Sequence, residues 1–381
     1  MVTALVTIAI FLVMISLHEF GHFFVAKLSG ITVLEYAIGM GPAIFKKEAG
    51  GTLYSVRILP IGGYCKMEGE DDKSDKPGAF CNQKLWKRFL VVVAGAVLNI
   101  VLGFVIFIVF STQNAPFATN IVDSIDRRSY MAQSGVMPGD RIVEINGRNI
   151  SFYNDISLYM SEITAAETVD MTVVREGEKL NFSFPMSERT GEIAYSETGM
   201  TMTTTMNGIT EVEEYKYAEG AVIDPAIFGT KQAINDVKMG FSPTQEGLGV
   251  RSVIKEAYCL TKFVVKLVYK SLWDMVSGKT GLEQVSGPVG IVGAVNEAVN
   301  SPYALMQVLW MAALLTINLG VFNLLPIPAL DGGRILFMLF ELIRGKPVPA
   351  EKEGMVHAIG LMLLLGFALI VSAKDIWMLF K

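Results

Sequence analysis

Residues 1–26 form an apolar run interrupted by only three ionisable side chains, His18, Glu19 and His22. A run of about 20 apolar residues is long enough to cross the hydrocarbon core of a bilayer. Lipid offers no partner to backbone N–H and C=O groups, so a single spanning segment of this kind has to be a helix. Ionisable groups inside such a helix cost roughly 2.5–3.5 kcal/mol each on insertion scales, and are functional as a rule. Here they crowd into five positions, His18-Glu19-Phe20-Gly21-His22. Histidines four residues apart share one helical face and can hold one Zn²⁺ between them. A glutamate next to the first histidine can serve a nearby water as general base. A merely structural histidine pair would leave that glutamate unexplained in lipid. The chain has three histidines in all, and two of them make this motif. The pattern points to zinc-dependent hydrolysis at membrane depth.

Three more uncharged runs of spanning length follow, at residues 89–110, 303–325 and 355–373, the last with His357 near its start. The composition agrees: 51% of residues are hydrophobic and 18% charged, against about 25% charged in soluble domains. A net charge of −5 argues against a nucleic-acid partner. The first run lacks a basic leader and a small-residue cleavage site, so it is expected to remain as a span. Lys27, Lys46, Lys47, Lys84, Lys87 and Arg88 flank the first two spans, and Arg334, Arg344, Lys346 and Lys352 lie between the last two. The positive-inside rule then puts both loops in the cytosol, with the long middle region and both termini outside an inner (plasma) membrane. Cys65, Cys81 and Cys259 are expected to be unpaired, because Cys65 and Cys81 fall in the cytosolic loop and Cys259 on the other side.

A catalytic zinc normally has three protein ligands, so a third must come from elsewhere. Asp331 and His357 are the candidates. Asp331 follows Pro326 and Pro328, which break the third span, and precedes Gly332-Gly333. Irregular backbone at membrane depth is tolerated where it lines a cavity or is buried in protein. Spans one and three run in the same direction, which brings Asp331 to the depth of His18 and His22. Asp331 is therefore the better candidate, with an interfacial structural role as the default for His357.

Between the first two spans, residues 53–59 are rich in strand formers and Pro60-Ile61-Gly62-Gly63 reads as a turn. A short hairpin is expected, and on composition alone an ordinary cytosolic one is preferred over an edge strand that pairs with an extended substrate. Residues 121–185 change to a soluble, strand-rich pattern, with a strand from about Ile142 and a tight turn at Asn146-Gly147. The run Ser134 to Gly147 resembles the bacterial form of the PDZ domain, although its peptide-binding loop is not found in residues 121–132. Residues 188–250 read as loops and short strands. Residues 252–275 suit an amphipathic helix at the outer membrane surface, with Lys262, Lys266 and Lys270 on one face; a plain packed helix fits nearly as well.

Taken in order, His18-Glu19-Phe20-Gly21-His22, the PDZ-like run and the Asn323 to Gly332 run resemble the site-2 protease family of intramembrane zinc metalloproteases, nearest to its bacterial regulator of sigma-E protease branch. The resemblance implies Zn²⁺ held by His18, His22 and Asp331, with Glu19 as catalytic base. It implies that Asn323 holds substrate or the oxyanion, and that Asn99 belongs to a Gly-x-x-x-Asn element in the second span. It makes the hairpin a membrane-reentrant β-element and reverses the preference above, so that Leu59, Pro60, Gly62 and Gly63 become substrate-binding candidates. Substrates implied are transmembrane proteins such as anti-sigma factors cut first outside the membrane, and remnant signal peptides. Only one PDZ domain is evident, whereas some members have two.

The expected fold is a polytopic α-helical membrane protein with four transmembrane helices, a membrane-reentrant β-hairpin and one extracytoplasmic PDZ domain of α+β type. The expected divisions are a membrane core at 1–112, the PDZ domain at 113–187, an extracytoplasmic region at 188–300 and a second membrane core at 301–381. The alternative of a different class is a PDZ-bearing membrane scaffold with a structural zinc site, which has no need of Glu19. A transporter would spread its ionisable residues along a path between leaflets.

Overall fold

The computed structural model describes residues 2–70, 74–160, 162–164, 167–217, 227–279, 281 and 285–379. It divides into two compact units, residues 1–114 with 253–381, and residues 115–252. In chain order the first unit begins with α1 (Val2–Leu28), β1 (Val33–Ala49), β2 (Thr52–Met67) and α2 (Leu85–Gln113). Both helices are long and apolar enough to cross a membrane.

The strand expected at residues 53–59 is present, but Pro60-Ile61-Gly62-Gly63 does not close a hairpin. β2 runs through it to Met67, and the turn lies upstream at Gly50-Gly51. The reason is a pairing that local pattern cannot reveal. Glu35, Tyr36, Ala37 and Ile38 of β1 each have two partners: Lys66, Cys65, Tyr64 and Gly63 on one side, Leu53, Tyr54, Ser55 and Val56 on the other. β2 therefore bends at residues 59–62 and passes the same stretch of β1 again. Glu35 ties the layers together, accepting from Ser55 Oγ and Arg57 Nη2, both at 2.7 Å. Residues 63–67 become an edge lying along α1, where Tyr36 Oη donates to the Ser16 carbonyl. The far end of the sheet carries exposed Met40, Ile44, Phe45, Ile58 and Leu59.

The second unit contains β3 (Phe117–Ile125), α3 (Met131–Ser134), β4 (Arg141–Ile145), β5 (Arg148–Asn149), α4 (Tyr153–Met160), β6 (Thr168–Arg175) and β7 (Glu178–Pro185). These are followed by β8 (Ser187–Tyr195), β9 (Gly199–Met206), β10 (Ile209–Lys216), β11 (Lys231–Lys238) and β12 (Phe241–Glu246). One sheet has the order β12-β3-β4-β6-β7, with β5 on β4; a second has the order β10-β9-β8-β11. Alternation buries Val169, Met171 and Val173 of β6 against Ile142 and Ile145 of β4, with Met131 and Ile156 from the helices. The Asp140 carboxylate takes a two-pronged bond from Arg175, both contacts at 2.7 Å. Burial alone would push this carboxyl up, but Arg175 and the Met137 amide outweigh it and hold it below the usual carboxylate range. The first sheet is wider than the 113–187 segment expected to form one domain, because its edge strand β12 pairs with β3 from more than a hundred residues away. Residues expected as loops and short strands form the second sheet.

The chain returns to the first unit with α5 (Val250–Val276), α6 (Pro288–Asn300), α7 (Ala304–Asn323), α8 (Asp331–Arg344) and α9 (Ala350–Leu379). α7 and α9 contain the other two spans of membrane-crossing length and hydropathy. α5 is not simply laid on a surface. Its face of Ala257, Leu260, Val264 and Val268 packs with Phe107 of α2 and Ala313 and Ile317 of α7, while Tyr258, Tyr269 and Trp273 stay exposed. The linker expected between spans three and four is largely the amphipathic helix α8, tied to α2 by Arg88 donating to both oxygens of Glu341. Cys65 and Cys259 are buried, Cys81 is exposed, and all three are free thiols as expected.

Candidate metal centre

The α-helical repeat of α1 puts His18 and His22 one turn apart on its buried face, with their Nε2 atoms 3.1 Å apart. Asp331, the first residue of α8, sends Oδ2 to within 3.2 Å of His18 Nε2 and 3.4 Å of His22 Nε2. Zinc with bonds of about 2.05 Å to a tetrahedral ligand set separates the ligand atoms by about 3.3 Å. The observed triangle thus has the size of one face of that tetrahedron, with a fourth corner left for water or substrate. Asp331 Oδ2 is buried and makes no hydrogen bond. Such an atom is costly unless something else meets its charge. Two imidazoles and a carboxylate are an ordinary zinc donor set, and among the described residues this is the one cluster of its kind.

Neighbouring helices contact both imidazoles. His22 Nδ1 bonds the Val91 carbonyl at 2.8 Å, which makes it the donor and turns Nε2 toward Asp331. Asn99 Nδ2 of α2 lies 3.4 Å from His18 Nδ1, and Asn323 Nδ2 of α7 lies 3.4 Å from His18 Nε2. Gly95 is what lets α2 come this close: a Cβ there would strike the His22 ring and sit 2.8 Å from His18 Cε1.

Glu19 stands beside the cluster and outside it. Its carboxylate faces the Cys65 backbone amide, and Gly63 would place a Cβ 3.4 Å from its Cγ. His18, Glu19, His22 and Asp331 share a cleft of about 560 Å³ with Tyr64, Cys65, Lys66, Arg334 and His357. Arg334 donates to Glu70 at 2.6 Å, joining α8 to the segment after β2.

The structure brings together His18, Glu19, His22, Asp331, Asn99 and Asn323. Of the four hairpin candidates, Gly63 alone touches this group. Leu59, Pro60 and Gly62 form the bend and do not line the cleft, because β2 continues past them and presents residues 63–67 instead. Tyr64, Cys65 and Lys66 carry no motif, so nothing in their local sequence marks them. His357 lies in the cleft wall but outside the triangle of donor atoms, with Nδ1 accepting from the Ala329 amide at 2.9 Å. The second unit holds a further feature that the sequence did not disclose. The α4 residues Tyr153, Ile156 and Met160 line a groove of about 500 Å³ with Gly240, Phe241 and Ser242 at the start of the edge strand β12.

Comparison with known proteins decides the chemistry. The family model for peptidase family M50 matches residues 6–367. The chain belongs to peptidase family M50. A relative in Clostridium acetobutylicum, named as a zinc metalloprotease, is 34% identical over 97% of this chain and 96% of its own. Zinc metalloprotease RasP of Oceanobacillus iheyensis is 28% identical over the full length of both chains. The regulator of sigma-W protease RasP of Bacillus subtilis is 28% identical over 99% of both. As an M50 peptidase this protein is a zinc metalloprotease, and its apolar helices are those of a multi-pass membrane protein. The donor triangle fits the metal that the family uses.

Proposed function

We propose that this M50 peptidase cleaves transmembrane segments of other membrane proteins, with His18, His22 and Asp331 holding Zn²⁺ and Glu19 as general base. The observation that carries this reading is the ligand triangle on membrane-depth helices with an acid beside it and an open cleft in front. Zinc, when bound, supplies Lewis-acid polarisation of the scissile carbonyl and makes water more acidic. Glu19 takes the proton from the attacking water and returns it to the leaving amine. Asn99 orients His18 by turning its amide so that Oδ1 accepts from the His18 Nδ1–H, and Asn323, at the end of α7, donates to a developing oxyanion. A scaffold with a structural zinc site would need neither the open corner nor Glu19.

A substrate helix has its amides satisfied internally and must unwind before it can be cut. The edge at residues 63–67 gives the extended chain a partner by strand addition. The exposed apolar tip at Ile44, Phe45, Ile58 and Leu59 suits a sheet that dips into lipid, as a reentrant element would. Cys65 lies opposite Tyr36 in the ladder while its amide turns outward to Glu19. Cys65→Pro removes the amide that meets Glu19 on this edge and is expected to lower cleavage at least 10-fold, with Cys65→Ala near wild type and zinc content unchanged in both. Equal cleavage by the two variants would mean that neither Glu19 nor the substrate depends on this edge amide.

In this reading the 115–252 unit is an extracytoplasmic PDZ module. Its groove between edge strand β12 and helix α4 has the layout for binding a peptide as an added strand. It screens for membrane proteins whose bulky outer domain has already been removed, anti-sigma factors and remnant signal peptides being the classes that the family resemblance implies. Replacing residues 115–252 with a flexible linker is expected to release cutting of substrates that still carry their outer domain. Discrimination that survives the replacement would sink the filter.

A further inference from the structure

The backbone that delivers Asp331 is held in an unusual shape. Between the end of α7 at Asn323 and the start of α8 at Asp331, Ala329 adopts φ +79°. An alanine rarely takes this left-handed conformation, because its Cβ crowds the following carbonyl. Here it falls two residues before the candidate ligand, where the chain direction determines where the Asp331 carboxylate points.

α9 supplies the restraint. His357 Nδ1 accepts the Ala329 N–H at 2.9 Å, which places the ring proton on Nε2. The same stretch of α9 is shaped to the loop. A Cβ at Gly360 would come within 2.5 Å of Pro328 Cβ and 2.6 Å of its carbonyl oxygen. A Cβ at Gly333 would lie 3.2 Å from His357 Cε1 and 2.7 Å from the Ile327 carbonyl oxygen. Phe337 of α8 flanks the imidazole, with ring centroids 5.7 Å apart. The loop is thus clamped between α8 and α9, and a directional bond from α9 ends on the strained residue.

We infer that His357 is a positioning residue for the metal centre: by holding Ala329 in the left-handed conformation it aims Asp331 Oδ2 at His18 and His22. This rests on the reading of Asp331 as a zinc ligand. Partners behind the ligands typically tune metal affinity by about 10–100-fold, and that is the effect expected here.

The test uses the full-length protein in detergent. Zinc affinity is measured by chelator competition, and kcat and KM are measured on a single-span reporter. His357→Phe keeps the ring and deletes the acceptor; it is expected to weaken zinc binding about 10-fold or more and to lower kcat with KM little changed. His357→Asn, whose Oδ1 can sit where Nδ1 was, is expected to recover most of the loss. Ala329→Gly in the His357→Phe background is also expected to recover it, because glycine takes positive φ without strain. Wild-type zinc affinity in His357→Phe, alongside a loss in Asp331→Asn, would overturn the brace and leave the ligand assignment standing. A loss in His357→Phe that neither rescue variant restores would reduce His357 to packing and likewise overturn it. Wild-type affinity in Asp331→Asn would instead remove the ligand reading on which the inference rests.

Discussion

Glu19→Gln is expected to abolish cleavage of a tagged single-span reporter while the protein keeps its full complement of zinc. Glutamine has nearly the shape of glutamate and still presents an oxygen to the Cys65 amide that faces residue 19, so the local fold has no reason to change. The three atoms placed to hold metal belong to His18, His22 and Asp331, and none is altered. What is lost is the capacity to accept a proton from water and pass it on. General acid–base catalysis contributes roughly 10²–10⁴-fold, so a residual rate below about 1% of wild type is the expected readout. Zinc content measured on the same preparations separates the alternatives. Loss of cutting with zinc retained assigns Glu19 to proton transfer. Loss of both would make Glu19 part of the metal shell or of its support. Cleavage equal to wild type would reject hydrolysis through Glu19 and favour the scaffold reading.

What could be read from the chain follows from how far apart the interacting residues lie. The motif at 18–22 is a one-turn relationship within one helix, so spacing alone discloses it. Asp331 is more than three hundred residues away, yet Pro326 and Pro328 announce a helix break and the uncharged runs set its depth, so two local signals sufficed. The sheet formed by β1 and β2 was misjudged because Glu35 to Ile38 pair on both sides; strand propensity says that residues 53–59 extend, but not that they share β1 with residues 63–66. The same limit hid β12, whose partner β3 precedes it by over a hundred residues, and with it the groove beside α4. α8 escaped the sequence reading because Arg334 and Arg344 served only to set topology, and neither they nor Glu341 were placed on a helical face. α5 did show its period, but a period cannot distinguish a lipid surface from the flanks of α2 and α7.

Asp331→Asn is expected to cost zinc affinity well beyond the roughly 100-fold that marks loss of an outer partner, and activity with it. The argument is electrostatic and geometric. Two neutral imidazoles and one carboxylate give the centre a single compensating negative charge for a divalent ion, and asparagine removes it while keeping the side chain's size. The Oδ2 atom sits 3.2 and 3.4 Å from the two Nε2 atoms, so no other described carboxylate or thiolate in the cluster stands ready to replace it. Asp331→Glu is the informative companion. It restores the charge but moves the carboxylate by one methylene from the position that sets Oδ2 3.2 and 3.4 Å from the two Nε2 atoms, so affinity should recover only in part. Chelator titration of the three proteins orders them wild type, Asp331→Glu, Asp331→Asn if Asp331 is a ligand. Unchanged zinc retention in Asp331→Asn would require another third ligand. His357, the remaining histidine of the cleft, could fill that place through Nδ1 only by giving up the Ala329 amide that it holds at 2.9 Å, and so only by rebuilding the loop that carries residue 331.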